Sequence, residues 1–268
     1  MSTSDGDGVQ LTRMLGNAQL EMLDPFLMMD AFGSDEALDY IGGFPPHPHR
    51  GFETVTYMLA GKMRHEDSVG NSGIVETGGV QWMTAGKGII HSEMPEQISG
   101  LLAGFQLWVN LPAAEKMTPP KYQEKTATDI PLEKRDLHTS LKVIAGRTKN
   151  GTQGVINNEL TQPVFWDIQL TESAIFSDII PIGHNAFIYI IEGELAVNDH
   201  QTLVSKEQLA VLTLGGGVKF QAKGNTRFLL IAGKPINEPV ARAGPFVMNS
   251  QAEIQQAFRD YQQGRFTD

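Results

Sequence analysis

Short apolar stretches, rich in β-branched and aromatic residues, recur through the chain with glycine and proline turns between them. The clearest lie at residues 52–59, 80–83 and 101–111. Runs of this kind bounded by turn residues predict β-strands, and turns at intervals of about ten residues predict a sandwich or barrel. The pattern therefore predicts an all-β protein.

The apolar pattern breaks between residues 112 and 136, where prolines and charged residues mark an irregular connector. A chain of 268 residues is also long for one domain, because the usual allowance is roughly 150 residues per domain. We therefore expect an N-terminal domain over residues 1–130 and a C-terminal domain over residues 131–268.

A short helix is predicted near the end of the chain. Ser250 and Glu253 form a capping box, and an apolar face follows at helical spacing, after which Gly264 ends the pattern. The residues of this face are Ile254, Ala257, Phe258 and Tyr261. We expect the helix to pack on a barrel and to take no part in chemistry.

The second half of the chain contains an echo of the first. Tyr-Met-Leu-Ala-Gly at 57–61 matches Tyr-Ile-Ile-Glu-Gly at 189–193, an offset of 132 residues. The same offset places Ile179 where the first half has His47, and Pro181 where it has His49. The second domain is therefore predicted to be a duplicated barrel that binds no metal.

Charge and composition exclude several classes of protein. The 21 Lys and Arg against 31 Asp and Glu give a net charge of -10, which disfavours direct contact with nucleic acid. No cysteine is present, so disulfides and thiolate chemistry are excluded. The polar N-terminus is not a secretory signal, and no stretch is apolar enough to span a membrane. We expect a cytoplasmic monomer.

Two pairs of metal-capable side chains stand out, His47 with His49 and His91 with Glu93. Each pair is two residues apart, so on a strand both side chains point to the same face. Three imidazoles and a carboxylate suit Fe(II), Mn(II), Ni(II), Cu(II) or Zn(II) and leave coordination positions open for chemistry. Glu53, four residues after His49, could also supply the carboxylate.

These motifs resemble those of a known family. The run from Gly43 to Gly61 resembles the first cupin motif, and that from Gly79 to His91 resembles the second. More specifically, four segments look like the pirin family: Asp-Pro-Phe-Leu at 24–27, His-Pro-His-Arg-Gly-Phe-Glu-Thr-Val at 47–55, Gln-Trp-Met-Thr-Ala-Gly-Lys-Gly-Ile-Ile-His-Ser-Glu at 81–93 and Gly-Pro-Phe-Val-Met-Asn at 244–249.

The resemblance implies a bicupin, two tandem jelly-roll β-barrels with a short C-terminal helix. Its N-terminal barrel would hold one divalent metal, usually iron, through His47, His49, His91 and Glu93, and its C-terminal barrel none. Glu53 would then only orient a ligand histidine. Some pirins, by the same resemblance, cleave the flavonol quercetin with dioxygen and release carbon monoxide, while others act as protein partners, including nuclear transcriptional cofactors.

The resulting hypothesis is a metal-dependent dioxygenase of a flavonol or a similar enolic phenol, with Glu93 as the base that takes the proton of the 3-hydroxyl. One alternative is an iron-binding, redox-sensitive interaction protein without a dedicated substrate. Another is a metal that only stabilises the barrel. Among the remaining histidines, His65 is expected on a short strand with Met63, next to a loop, as a polar residue, with the pocket rim as the alternative. His138, His184 and His200 are expected to be surface or structural residues.

Overall fold

The computed structural model describes residues 1–197 and 202–267. Within them the chain is built from β-strands and one α-helix, α1 (Gln251–Gln262), together with two 3-10 turns at Ala37–Asp39 and Ala113–Glu115. No helix among these residues is long and apolar enough to cross a bilayer. The all-β prediction is confirmed. The chain forms two compact units, residues 1–127 with 236–268, and residues 128–235.

The first unit contains a seven-stranded and a four-stranded antiparallel sheet. In the larger sheet the order is β1-β2-β3-β10-β5-β8-β11, and in the smaller one it is β4-β9-β6-β7. The strands are β1 (Ser2–Asp5), β2 (Val9–Leu15), β3 (Phe26–Ser34), β4 (Phe44–His49), β5 (Phe52–Ala60), β6 (Lys62–Asp67), β7 (Ser72–Glu76), β8 (Val80–Thr84), β9 (Ile89–Pro95), β10 (Leu102–Asn110) and β11 (Lys121–Lys125).

The second unit contains a six-stranded sheet, β12-β13-β14-β21-β16-β19, and a four-stranded sheet, β15-β20-β17-β18. Its core is apolar and draws on both sheets, with Trp166 and Phe228 from the first and Phe176 and Phe220 from the second. The strands are β12 (Leu132–Lys134), β13 (Thr139–Ala145), β14 (Val164–Leu170), β15 (Ile175–Ile179), β16 (Asn185–Glu192), β17 (Glu194–Val197), β18 (Thr202–Ser205), β19 (Leu209–Val211), β20 (Gly217–Ala222) and β21 (Thr226–Gly233).

The two units share one strand order. In the large sheets, the order β1-β2-β3-β10-β5-β8 of the first unit corresponds to β12-β13-β14-β21-β16-β19 of the second, and β11 is an additional edge strand. In the small sheets, β4-β9-β6-β7 corresponds to β15-β20-β17-β18. The sequence echo falls on equivalent strands, because residues 57–60 lie in β5 and 189–192 in β16. The duplication inferred from the sequence is therefore present in the fold.

The last 33 residues, 236–268, group with the first unit, whereas the expected boundary placed them with the second domain. They form a hairpin of β22 (Ala241–Ala243) and β23 (Phe246–Met248), followed by α1. Buried Arg50 explains this placement, since its guanidinium bonds Asp260 at 2.7 Å and the Phe266 carbonyl at 3.1 Å.

The helix α1 begins as predicted, because the Ser250 hydroxyl accepts the Glu253 N–H at 3.3 Å. Ile254 and Ala257 are buried in the first unit, and Phe258 packs edge-on against Phe246 with 4.9 Å between ring centroids. The predicted apolar face is therefore the packed face of the helix.

Candidate metal centre

Strands β4 and β9 bring the predicted histidines together. They pair antiparallel with His47 opposite His91, and His49 lies two residues further along β4, on the same face. Three prolines accompany these histidines in β4, which is possible because β4 is an edge strand, where a missing N–H breaks no ladder bond. The prolines therefore make β4 a stiff edge strand, and this strand carries two of the imidazoles.

The ligand atoms of His47, His49 and His91 all lie within 4.8 Å of one another. The Nε2 atoms of His47 and His49 are 3.0 Å apart. Two nitrogens that bind one ion at about 2.1 Å and at right angles would be separated by about 3.0 Å. The His47 Nδ1 donates to the Pro45 carbonyl at 2.8 Å, so its Nε2 carries the lone pair that a metal requires.

Burial keeps the other two imidazoles neutral. His49 is 3% and His91 1% exposed, and desolvation, reinforced by the neighbouring histidines, lowers the pKa of both well below its usual value. Both ring nitrogens of His91 are buried without a hydrogen-bond partner among the described residues. Buried polar atoms are normally paired, and a metal bound by this cluster would pair the one His91 nitrogen that carries a lone pair.

Glu93 is not a member of the three-histidine group, but it lines the same cavity as His47 and His49. Its carboxylate accepts the Thr56 hydroxyl at Oε1 and the Gln106 amide at Oε2, both at 2.8 Å. Glu53 is also buried, and its Oε1 accepts the Thr84 hydroxyl at 2.7 Å.

The partners of Glu93 belong to a row of polar residues that crosses the large sheet. Strand registers place these residues side by side from β2 to β11, and the row ends at the partly exposed Glu124. In order they are Arg13, Asp30, Gln106, Thr56, Gln81 and Glu124. Burial of so many polar groups is costly unless they are paired, and each of the six makes a side-chain hydrogen bond.

The corresponding row of the second unit is entirely apolar. The same registers there align Val143, Trp166, Leu230, Ile188 and Ala210. In the first unit Glu93 pairs with Phe44 across strands β9 and β4. In the second unit the counterpart of Phe44 is Phe176, and the residue paired with it is buried Phe220. The same strand arrangement thus closes around apolar side chains, so the polar row is not a requirement of the fold.

His65 lies next to the metal centre but is not one of the three clustered histidines. It lies in β6, where a short strand carrying Met63 and His65 was expected, opposite Glu93, and it is only 6% exposed. Its Nε2 donates to Glu124 at 2.7 Å, and Gly73 makes room for it, because an added Cβ would lie 2.5 Å from that nitrogen. The alternation of Met63, His65 and Asp67 with Arg64 and Glu66 indicates a strand with His65 on the same face as Met63.

The cavity beside the histidines has a volume of about 690 Å³, within the range of sites for small molecules. Its floor comes from β2, β3 and β10, and β4 and β9 supply the wall that carries His47, His49 and Glu93. Residues 5–7 and 242–245 contribute further parts of the wall. The main apolar residues are Leu11, Met28, Phe32 and Trp108.

The other histidines lie outside this centre. His138 bonds the Thr171 hydroxyl at 2.8 Å on the surface of the second unit. His184 is buried and its Nε2 donates to the Gln162 carbonyl at 3.0 Å, while burial lowers its pKa. His200 lies outside the described residues.

Two jelly-roll barrels in one chain, with a histidine cluster in the first and apolar side chains at matching positions of the second, define a bicupin. Comparison with known proteins agrees. The sequence profile of pirin matches residues 8–109, and that of the pirin C-terminal cupin domain matches residues 165–267. The chain belongs to the pirin family, which confirms the resemblance seen in its motifs.

Individual relatives extend over nearly the whole chain. A pirin-like protein of Caulobacter vibrioides is 51% identical over 98% of this chain and 95% of its own length. Rat pirin (Rattus norvegicus) is 42% identical over 98% of this chain and 89% of its own. A crystal structure of quercetin 2,3-dioxygenase from Acinetobacter baumannii superposes with a TM-score of 0.91 at 37% identity, covering 99% of this chain and 94% of that one.

Proposed function

We propose that this protein is a metal-dependent dioxygenase that opens the heterocyclic ring of a flavonol such as quercetin. The observation that carries the proposal is the position of His47, His49 and Glu93 on the wall of one cavity large enough for such a molecule. The similarity to a quercetin 2,3-dioxygenase supports the same reaction.

His47, His49 and His91 would hold the metal, and Glu93 would be its fourth ligand. When bound, a divalent transition metal supplies a Lewis-acid and redox centre beside the cavity. Fe(II) is the metal we propose, and Mn(II), Ni(II), Cu(II) and Zn(II) suit the same donors. Glu93 is preferred to Glu53 because it faces the cavity together with His47 and His49.

Glu93 would also take the proton of the substrate's 3-hydroxyl. Thr56 Oγ1 lies 2.8 Å from Glu93 Oε1 and 2.9 Å from Gln106 Oε1, but a hydroxyl donates only one hydrogen. Before proton transfer Thr56 donates to Glu93. Afterwards it can accept the new O–H at Oε1 and turn its own hydrogen to Gln106, so the buried carboxyl stays hydrogen-bonded in both states.

The cavity would bind the flat rings of the substrate and keep water away from them. Trp108 is 9% exposed and is held by Phe52, at 4.3 Å between ring centroids, and by His49, at 5.3 Å. Together with Leu11 and Phe32, Trp108 gives the cavity an apolar wall that favours a planar ligand beside the histidine cluster.

The test is oxygen uptake and carbon monoxide release with quercetin by protein loaded with Fe(II), compared with the same amount of free metal. We expect turnover in the wild type and none in His49→Ala. Glu93→Gln should lose most activity, whereas Glu53→Gln, an equal change at a buried carboxylate bonded to Thr84, should retain more metal and activity than Glu93→Gln. No turnover above free metal would reject the proposal.

A further inference from the structure

Arg242 places a cation in the cavity that the proposed reaction does not use. It lies in β22, and its guanidinium lies over the ring of Trp108, 4.6 Å from the ring centroid. The Trp108 ring is 5.3 Å from that of His49, so the guanidinium lies within roughly 10 Å of the histidine cluster, with an aromatic surface between them.

The two arginines of the cavity differ in their partners. Arg13 is fully engaged, because it bonds both oxygens of Asp30 at 2.7 and 2.9 Å and also bonds Asp5. Among the described residues, Arg242 pairs with no carboxylate, and its two contacts are long, 3.4 Å to the Leu27 carbonyl and 3.6 Å to the Met28 sulfur. Asp5 and Asp30, the nearby anions, are bound by Arg13.

We propose that Arg242 binds an anionic oxygen at the outer end of the substrate, a carboxylate or an ionised phenol, while the enol oxygen of the same molecule lies at the histidine cluster. This inference rests on the proposed function and narrows its substrate class to flat enolic phenols that carry a second acidic group. A planar guanidinium already fixed over an aromatic ring can donate two parallel hydrogen bonds to such a group.

The position of Arg242 also explains why the anion would be bound selectively. Arg242 is exposed, but Met28 and Trp108 beside it are buried and mainly apolar, so a ligand anion placed there loses part of its water and needs a charged partner. A neutral ligand of the same shape would gain the apolar contacts of the cavity but leave the guanidinium without an acceptor. The preference between the two ligands therefore isolates the contribution of Arg242.

The test compares binding of 3-hydroxyflavone and 4′-carboxy-3-hydroxyflavone to Fe(II)-loaded protein under argon, measured by calorimetry. We expect wild type to bind the carboxylate about tenfold or more tightly than the parent flavonol, the usual effect of one charged hydrogen-bonded contact. Arg242→Gln should reduce that ratio to within about twofold, and Arg242→Lys should keep part of it, because the charge remains but the fork is lost.

Arg64→Gln is the matched control, since it removes the same charge from an arginine that bonds Glu96 and lines no part of the cavity. It should leave the ratio as in wild type, and thermal melting should show that all variants fold. A wild-type ratio near one, or an undiminished ratio in Arg242→Gln, would overturn the inference. An Arg242-dependent ratio without oxygen uptake would sustain it while rejecting the dioxygenase.

Discussion

Gln106→Leu tests whether the polar row serves the metal centre. The change keeps the bulk of the side chain but removes the amide that donates to Glu93 Oε2 at 2.8 Å. A buried carboxylate oxygen left without its donor costs about 1–3 kcal/mol. Since 1 kcal/mol corresponds to roughly 2–4 °C in a unit of this size, the melting temperature of the metal-free protein should fall by roughly 2–12 °C.

The larger effect should appear in metal binding. Residues that orient a metal-binding side chain typically contribute about 10- to 100-fold to affinity, so the Kd for Fe(II) should rise by about that factor. Anaerobic titration with Fe(II), with melting followed at each concentration, measures both quantities on the same sample. The metal-induced rise in melting temperature should be correspondingly smaller, because binding to the folded state stabilises it in proportion to the logarithm of affinity.

Gln81→Leu is the control for this prediction. Gln81 is 1% exposed and lies in the same row, but its amide donates to Glu124, at 2.9 Å, rather than to Glu93. It should lower the melting temperature while leaving the Kd for Fe(II) nearly unchanged. If Gln106→Leu binds Fe(II) as the wild type does, or if Gln81→Leu weakens binding equally, the row does not act on the metal centre through Glu93.

Three further predictions concern stability. Burial lowers the pKa of the Lys116 ammonium from its ordinary 10.5 to about 8, so between these pH values the folded state binds fewer protons than the unfolded chain. The free energy of unfolding of wild type should therefore rise relative to that of Lys116→Met by up to about 3 kcal/mol from pH 8 to 10.5. Urea titrations measure this difference, and a difference that stays constant with pH would contradict the prediction. Gly73→Ala should displace His65 and lower the melting temperature, because the new Cβ would lie 2.5 Å from His65 Nε2. The control Gly33→Ala should not, because its Cβ would lie 3.5 Å from the nearest atom, an ordinary contact distance. Arg50→Met should loosen α1, because Arg50 bonds Asp260 and the Phe266 carbonyl. Hydrogen exchange of Gln251–Gln262 should be faster in this variant than in the control variant Arg259→Met. Equal exchange in the two variants would show that other contacts hold the helix.

The sequence was most informative where a short spacing carries the chemistry. His47 and His49, and likewise His91, could be placed because period-two pairs on strands share a face. Their convergence follows from one strand pairing, β4 with β9. The replacement of the first histidine pair in the second half was equally readable, because the offset of 132 residues puts Ile179 at the place of His47 and Pro181 at that of His49.

Two kinds of feature could not be read in this way. β1 (Ser2–Asp5) and β11 (Lys121–Lys125) are polar edge strands without apolar alternation, and only their backbone pairing with β2 and β8 defines them. The polar row depends on the registers of strands that lie far apart in the chain. No local pattern indicates that Gln106 meets Glu93, or that Arg242, beyond the entire second unit, lines the cavity of the first.

That last placement has a consequence for how the protein is made. Residues 236–268 follow the second unit in the chain but belong to the first, and they bring Arg242 and Pro245 to the cavity wall. The ribosome must therefore translate the whole second unit before the hairpin of β22 and β23 can join the first unit. Until then β4 and β9 can already pair and bring the histidines together, but the cavity beside them lacks the part of its wall that residues 242–245 supply.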